Sequence, residues 1–209
     1  MKLCIISDTH SRHHLIKELP NADVIIHCGD ISNIGGEYEI YNFFYWFSNL
    51  IQFEYKIMIA GNHDFLFEKN KSLVLSMKPN NVIYLEDSEV IINNTKFYGT
   101  PVSKIFNNWA FNRDNKKLQK HWEAIPDDVD VLITHEPPYG ILDLGVSNEH
   151  IGSISLYNEV VNRIKPKLHC FGHAHNSYGK IIKNDITFIN SSILDSLYYI
   201  KNKPQIIEI

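Results

Sequence analysis

Long apolar runs are missing from this sequence: its most hydrophobic stretches, such as Leu3-Cys4-Ile5-Ile6, last about four to six residues, whereas a bilayer-spanning helix needs roughly 20. No transmembrane segment is expected. Charge of one sign is equally scarce, with a formal net charge of -4 over 209 residues and no polybasic run. That balance argues against a general binder of nucleic acid or membrane surfaces, which relies on clustered Lys and Arg. Only 3 cysteines are present, Cys4, Cys28 and Cys170. Each sits in an apolar, strand-like run and the number is odd, which predicts buried thiols in a reducing compartment rather than a disulfide framework. The chain passes from Met1-Lys2 straight into an apolar run, without a longer hydrophobic region or a small-residue cleavage site, so a cytoplasmic protein is expected. Repeats, low-complexity tracts and linkers are lacking too, and residues 1–209 are expected to form a single domain.

What the sequence does contain is a series of short β-branched runs separated by longer mixed segments, the pattern of buried strands joined by helices. Strands are expected at residues 2–7, 23–28, 55–60, 129–134 and 167–171, with helices at 37–50, near 114–124 and at 153–164, the last stopping before Pro166. Two hairpins are expected, 88–92 with 95–98 across Asn93-Asn94, and 179–183 with 186–189 across Asn184-Asp185. A third would join 197–201 to 205–208, with Pro204 confining that strand to an edge. The class is α/β, and two mixed sheets packed face to face with helices outside satisfy the layering rules.

The residues that follow each apolar strand carry the chemistry. The expected strands end in Asp8-Thr9-His10, Gly29-Asp30, Gly61-Asn62-His63-Asp64, His135 and Gly172-His173-Ala174-His175. Ligands of open α/β sheets bind beyond the carboxyl ends of the strands, so these endings are expected to converge at one sheet rim. Carboxylate, imidazole and one amide oxygen make a mixed oxygen and nitrogen set. Such a set suits Mn, Fe, Zn, Co or Ni and is too rich in nitrogen for a dedicated Ca or Mg cage. Asp30, alone after a strand and a tight Gly29, is the best candidate to bridge two ions. Such a pair would leave a net positive site for a phosphate.

Taken singly, several of these features are ordinary. Gly-Asp is common at turns, and an isolated His135 reads equally well as a core or capping histidine. Composition frequencies, however, predict on the order of 0.003 chance occurrences of Gly-Asn-His-Asp and about 0.03 of Gly-His-x-His, so the conjunction is specific. Arg12 is a candidate phosphate clamp. His13 and His14 line the pocket, bind the scissile phosphate or are merely solvated at a helix start, His27 and His169 are buried and satisfied or brace a ligand, and His121 and His150 are expected at the surface. In the loop 102–113, Phe106, Trp109, Phe111 and Arg113 either reach the pocket rim or form a satellite core. Tyr139 is a further candidate for shaping the pocket.

In order from Asp8 to His175, these motifs resemble the signature of the calcineurin-like metallophosphoesterase superfamily. The segments Ser7-Asp8-Thr9-His10-Ser11-Arg12 and Thr134-His135-Glu136-Pro137-Pro138 are similar to its small branch, typified by the brain-expressed metallophosphoesterase-domain proteins. The resemblance implies a four-layer sandwich of two mixed β-sheets flanked by α-helices. It implies one metal held by Asp8, His10, Asp30 and His175 and another by Asp30, Asn62, His135 and His173, with manganese the best support of activity in vitro. His63 would be the general acid, Asp64 would hold its imidazole, and Asn62, His63 and Arg12 would contact phosphate. The implied reaction is attack of a metal-bridging hydroxide on a small phosphodiester or nucleotide. A phosphomonoesterase and a metal-binding interaction scaffold are the alternatives, and neither a membrane nor a long nucleic acid is expected as partner.

Overall fold

The computed structural model describes residues Met1–Ile209. In chain order its elements are β1 (Lys2–Ile6), β2 (Val24–Cys28), α1 (Glu37–Ser48), β3 (Tyr55–Ile59), α2 (Phe65–Lys69), α3 (Lys71–Met77) and β4 (Ile83–Tyr84). Then come β5 (Ser88–Ile92), β6 (Thr95–Thr100), β7 (Ser103–Lys104), β8 (Asn112–Arg113), α4 (Asn115–Glu123) and β9 (Val131–Thr134). The chain ends with α5 (Ile154–Glu159), which runs on into a π-helical turn at Val160–Ile164, and with β10 (Leu168–Phe171), β11 (Gly179–Lys183), β12 (Ile186–Asn190) and β13 (Gln205–Glu208). The expected helix before Pro166 is thus present, and its end is marked by Lys165 in the left-handed region at φ 46°.

Two mixed sheets form, in the orders β13-β1-β2-β3-β4 and β11-β12-β10-β9-β6-β5. Period-two alternation explains how they stack. Leu3 and Ile5 of β1 and Val24 and Ile26 of β2 face Val131 and Ile133 of β9 and Leu168 of β10, closing a core between the sheets. Cys4, Ile6 and Ile25 point the other way, onto Phe43, Phe44 and Phe47 of α1. On the far side of the second sheet, Leu132, Phe171 and Phe188 meet Leu118 and Trp122 of α4 and Leu156 of α5. The result is the expected order of helices, sheet, sheet and helices. Each fully buried side chain of this size contributes roughly 1.5–3 kcal/mol of transfer free energy, so the three cores fix the layers.

Local chemistry agrees with this placement. In α1, Ile40, Phe43, Phe44 and Phe47 recur at helical spacing and are buried, and Glu39 caps the start by accepting the Gly36 N–H at 3.1 Å. Asn93 (φ 49°) and Asn94 (φ 62°), like Asn184 (φ 52°) and Asp185 (φ 60°), adopt the left-handed pair that a two-residue hairpin requires.

Two expectations fail. The third hairpin does not form: β13 pairs antiparallel with β1, from Lys2↔Glu208 to Ile5↔Gln205, while residues 197–201 contribute only an isolated bridge between Leu194 and Ile200. The open edge of the buried β1 offers a full ladder, whereas a local partner would leave that edge unpaired. The second failure is the single sheet rim. β1, β2 and β3 belong to one sheet and β9 and β10 to the other, so the motif-bearing ends meet across the two sheets.

Candidate metal centre

Every motif lies just past the carboxyl end of its strand, and backbone hydrogen bonds carry the pairing beyond the sheet. Asp8 N–H donates to Gly29 O at 3.0 Å and His10 N–H to Asp30 O at 3.1 Å, so the first two loops continue side by side. From the second sheet, His173 N–H donates to both Asp8 carboxylate oxygens at 3.1 Å, and the Ser192 hydroxyl donates to Asp8 Oδ2 at 2.7 Å. Two glycines make the approach possible. Gly29 holds φ +95°, and a Cβ there would lie 2.6 Å from both Ala60 O and His135 Nδ1. A Cβ on Gly61 would lie 2.3 Å from Asp30 Oδ1.

The side chains converge as three groups, of which one, His10, Asp30 and His63, shares a residue with each of the other two. Asp8, His10 and His175 place their ligand atoms within 4.8 Å of one another, and so do Asp30, His135 and His173. Asp30 stands between them, its Oδ2 lying 3.6 Å from His10 Nε2 and 3.3 Å from His135 Nε2. Asn62 Oδ1 is 2.9 Å from His135 Nε2, and the Nε2 atoms of His10 and His175 face each other at 3.3 Å. Backbone carbonyls orient two of the rings: His135 Nδ1 lies 3.0 Å from Cys28 O and His175 Nδ1 3.0 Å from Asp195 O, which turns each Nε2 toward the centre. Asp8 (φ 53°), His10 (φ 38°), Asp30 (φ 56°) and His173 (φ 68°) all hold left-handed backbone, strain of the kind stored at functional sites.

Burial alone would raise both carboxyls, yet His175 beside Asp8 and His135 beside Asp30 hold them below the usual carboxylate range. His135 rises to about 10 against its own burial because Asp30 and Asp8 attract its proton. Burial pushes His10 down to about 4 and His173 to about 3, which keeps their nitrogens as neutral donors. Two buried anions ringed by imidazole nitrogens and one amide oxygen are the donor set of a divalent transition ion, and the residues present fit such a cofactor.

His63 sits at the edge of this cluster. Its N–H donates to Asp30 Oδ1 at 2.8 Å, its Nδ1 lies 2.6 Å from Asn33 O, and its ring packs on Trp109 with centroids 4.1 Å apart. Asp64 does not hold that imidazole. Its carboxylate accepts the N–H groups of Ile31, Ser32 and Gly61 and the Ser32 hydroxyl, tying the loop after β2 to the loop after β3. Helix α2 begins at the next residue and turns the carboxylate inward beneath the loops, while the Asn33 carbonyl takes the ring. Asp64→Ala should therefore destabilise the fold by about 3–5 kcal/mol, through several stranded buried donors. Urea unfolding would measure this, and a loss below about 1 kcal/mol would contradict the bracing role.

Arg12 does not line the central cavity. Its guanidinium donates to His10 O at 3.1 Å and lies 5.7 Å from the centre of the Tyr198 ring, so it buttresses the first motif from behind. His13 packs against Phe43 and Trp46 in a separate hollow beside α1, which His14 also lines. The interior histidines brace the motifs through neighbouring threonines: His27 Nε2 meets Thr9 Oγ1 at 3.0 Å, and His169 Nε2 meets Thr134 Oγ1 at 2.8 Å. His121 is half-buried against Thr100 and Asp87 rather than surface-exposed. His150, bonded to Asp143 at 2.7 Å, lines the cavity over the metal centre.

That cavity has a volume of about 700 Å³ and opens directly on Asp30, Asn62, His63, His173 and His175. The aromatic loop divides: Phe106 and Trp109 reach the rim, Phe111 is buried in the core, and Arg113 pairs with Glu68 at 3.1 Å. Tyr139 packs against His150 with the rings tilted and their centroids 5.1 Å apart, and borders a neighbouring hollow. Tyr198 went unnoticed in sequence. Its ring packs 4.8 Å from His10 and 5.3 Å from His175, and the backbone at φ 63° is a further strained position. The run Asp195-Ser196-Leu197-Tyr198-Tyr199 contains no motif, and only its nearness to the last strand could have marked it.

The calcineurin-like phosphoesterase family model matches residues 1–177, which include every ligand candidate. The chain is 37% identical over 229 aligned positions to metallophosphoesterase domain-containing protein 1 of Homo sapiens, covering 98% of this chain and 69% of that one. The Mus musculus protein of the same name matches to the same extent. A solved crystal structure with 16% sequence identity superposes with a TM-score of 0.68 over 99% of this chain and 98% of its own, which shows the fold alone. No helix is long and apolar enough to cross a membrane. With the family match, the relatives and the convergent ligand set together, the chain belongs to the calcineurin-like phosphoesterases, a family that implies divalent metal ions and hydrolysis of phosphate esters.

Proposed function

We propose that the chain is a dinuclear metal-dependent phosphodiesterase, with Asp8, His10, Asp30 and His175 as ligands of one ion and Asp30, Asn62, His135 and His173 as ligands of the other. The observation that carries this reading is the position of Asp30, which falls in one group with His135 and His173 and in another with His10 and His63, the ligand atoms of each lying within 4.8 Å of one another. Divalent ions bound there, manganese being the best support of turnover in vitro, would supply Lewis acidity and an activated water.

The chain's own residues do the rest. Asn62 and His63 face the cavity where the phosphate would sit. With Nδ1 engaged by Asn33 O, His63 presents Nε2 as the proton donor to the departing oxygen, and Trp109 restrains its ring. Positioning of this kind matters because a group displaced by 1 Å can lose about 10²-fold in rate.

A diester is favoured by the cavity beside the ligands, which has room for a second ester group. Its charged walls, Lys104 against Glu149, offer no positive surplus for a monoester dianion. We assign the protein to the cytoplasm on its thiols and place the whole activity in a single domain. The test is hydrolysis, with added manganese, of an aryl phosphodiester and the matching monoester. The diester should turn over faster. A faster monoester would reverse the preference, and activity on neither with both ions bound would leave an interaction scaffold.

A further inference from the structure

Large exposed apolar side chains gather beside the metal centre. Phe106 is 63% exposed, Ile105 57% and Val146 76%, and all three line the cavity that opens on Asp30 and His63, together with Ile151. Water contact with such groups is unfavourable, and a cluster of them at a concave site marks a ligand surface.

Both walls are fixed before any ligand arrives. On one side Ile105 N–H donates to Arg113 O at 2.9 Å and Ala110 N–H to Asn62 O at 3.0 Å, tying the loop with Phe106 and Trp109 to the ligand loop itself. On the other, Gly145 N–H donates to Glu149 O at 2.8 Å and Ile151 N–H to Asp143 O at 3.0 Å. Asp143 also takes the Gly140 and Gly152 N–H groups, at 3.0 and 3.1 Å, which pins the base of the loop carrying Val146. Preformed walls lose little entropy on binding, so their apolar area converts efficiently into affinity.

From this we infer that the site has an apolar subsite, walled by Ile105, Phe106, Val146 and Ile151, for the ester group that is not expelled, and that its substrates are phosphodiesters whose spectator group is an apolar body of at least aryl size. The inference rests on the proposed hydrolytic reading for the position of the phosphate. The cavity volume of about 700 Å³ is that of a small-molecule site, large enough for an aryl or short alkyl body beside the phosphate.

Calorimetric titration of the manganese-loaded protein with dimethyl, diphenyl and dihexyl phosphate tests it. Diphenyl or dihexyl phosphate, or both, should bind at least about tenfold more tightly than dimethyl phosphate, from apolar area buried at roughly 25 cal/mol per Å². Preference for diphenyl alone identifies a flat aromatic body, and preference for both identifies apolar bulk. In a Phe106→Ser, Val146→Ser double variant the ratio should fall to within about twofold, and both positions are exposed enough to accept serine without loss of the fold. Equal affinity for all three phosphates, or an unchanged ratio in the variant, overturns the subsite. Aryl diester hydrolysis without the binding preference removes this inference alone, whereas the preference without hydrolysis removes the proposed activity and leaves the subsite.

Discussion

Asp30→Asn is expected to lose metal and turnover together. Asn retains an oxygen that can accept the His63 N–H now bonded to Asp30 Oδ1 at 2.8 Å, so the loop keeps its anchor. What disappears is the negative charge on Oδ2, which lies 3.6 Å from His10 Nε2 and 3.3 Å from His135 Nε2. A neutral amide cannot bridge two cations as a carboxylate does, and buried cations without their anion are costly. Metal content should fall below one ion per chain. Turnover should drop by roughly 10³ or more, since several kcal/mol of charge stabilisation vanish at about 1.4 kcal/mol per tenfold. Metal analysis with steady-state assays would measure both, and full activity in the variant would rule out the bridging assignment.

His63→Ala is expected to separate the two properties. The proposed role of His63 is proton transfer, so the variant should keep its ions and slow by about 10²–10⁴. The deficit should widen as the leaving group becomes more basic, because a nitrophenolate departs without help and an alkoxide does not. Geometry makes the test worthwhile: His63 lies close enough to His10 and Asp30 that the three ligand atoms fall within 4.8 Å, and its ring meets that of His10 edge-on at 4.6 Å. Protein stripped of metal by this substitution would make His63 a ligand instead of an acid.

Much of the fold was legible because its signals are local. The buried runs of β1, β2, β3, β9 and β10 are continuous and β-branched, and the two Asn-rich turns specify hairpins that form as expected. Pairing was not legible, since Leu3-Cys4-Ile5-Ile6 and Val131-Leu132-Ile133-Thr134 look alike and nothing in either names its neighbour. For that reason the sequence did not announce that the motif ends would lie across two sheets, or that β13 would pair with β1 rather than with residues 197–201.

The site divides the same way. Asp8, His10, Asp30, Asn62, His135, His173 and His175 were legible because each immediately follows an apolar run, and the fold brings them together. Asp64 was misread because adjacency to His63 in sequence implies contact, whereas the chain turns between them and sends the carboxylate to Ile31, Ser32 and Gly61. Tyr198 and His150 reach the cavity from irregular loops, where neither periodicity nor turn chemistry reports which way a side chain points.

Anomalous diffraction from a crystal of the protein grown with manganese tests the central claim most directly. Two separate peaks are predicted, one among Asp8, His10 and His175 and the other among Asn62, His135 and His173, with Asp30 reaching both. A single peak away from Asp30, or none at full manganese saturation, would contradict the account.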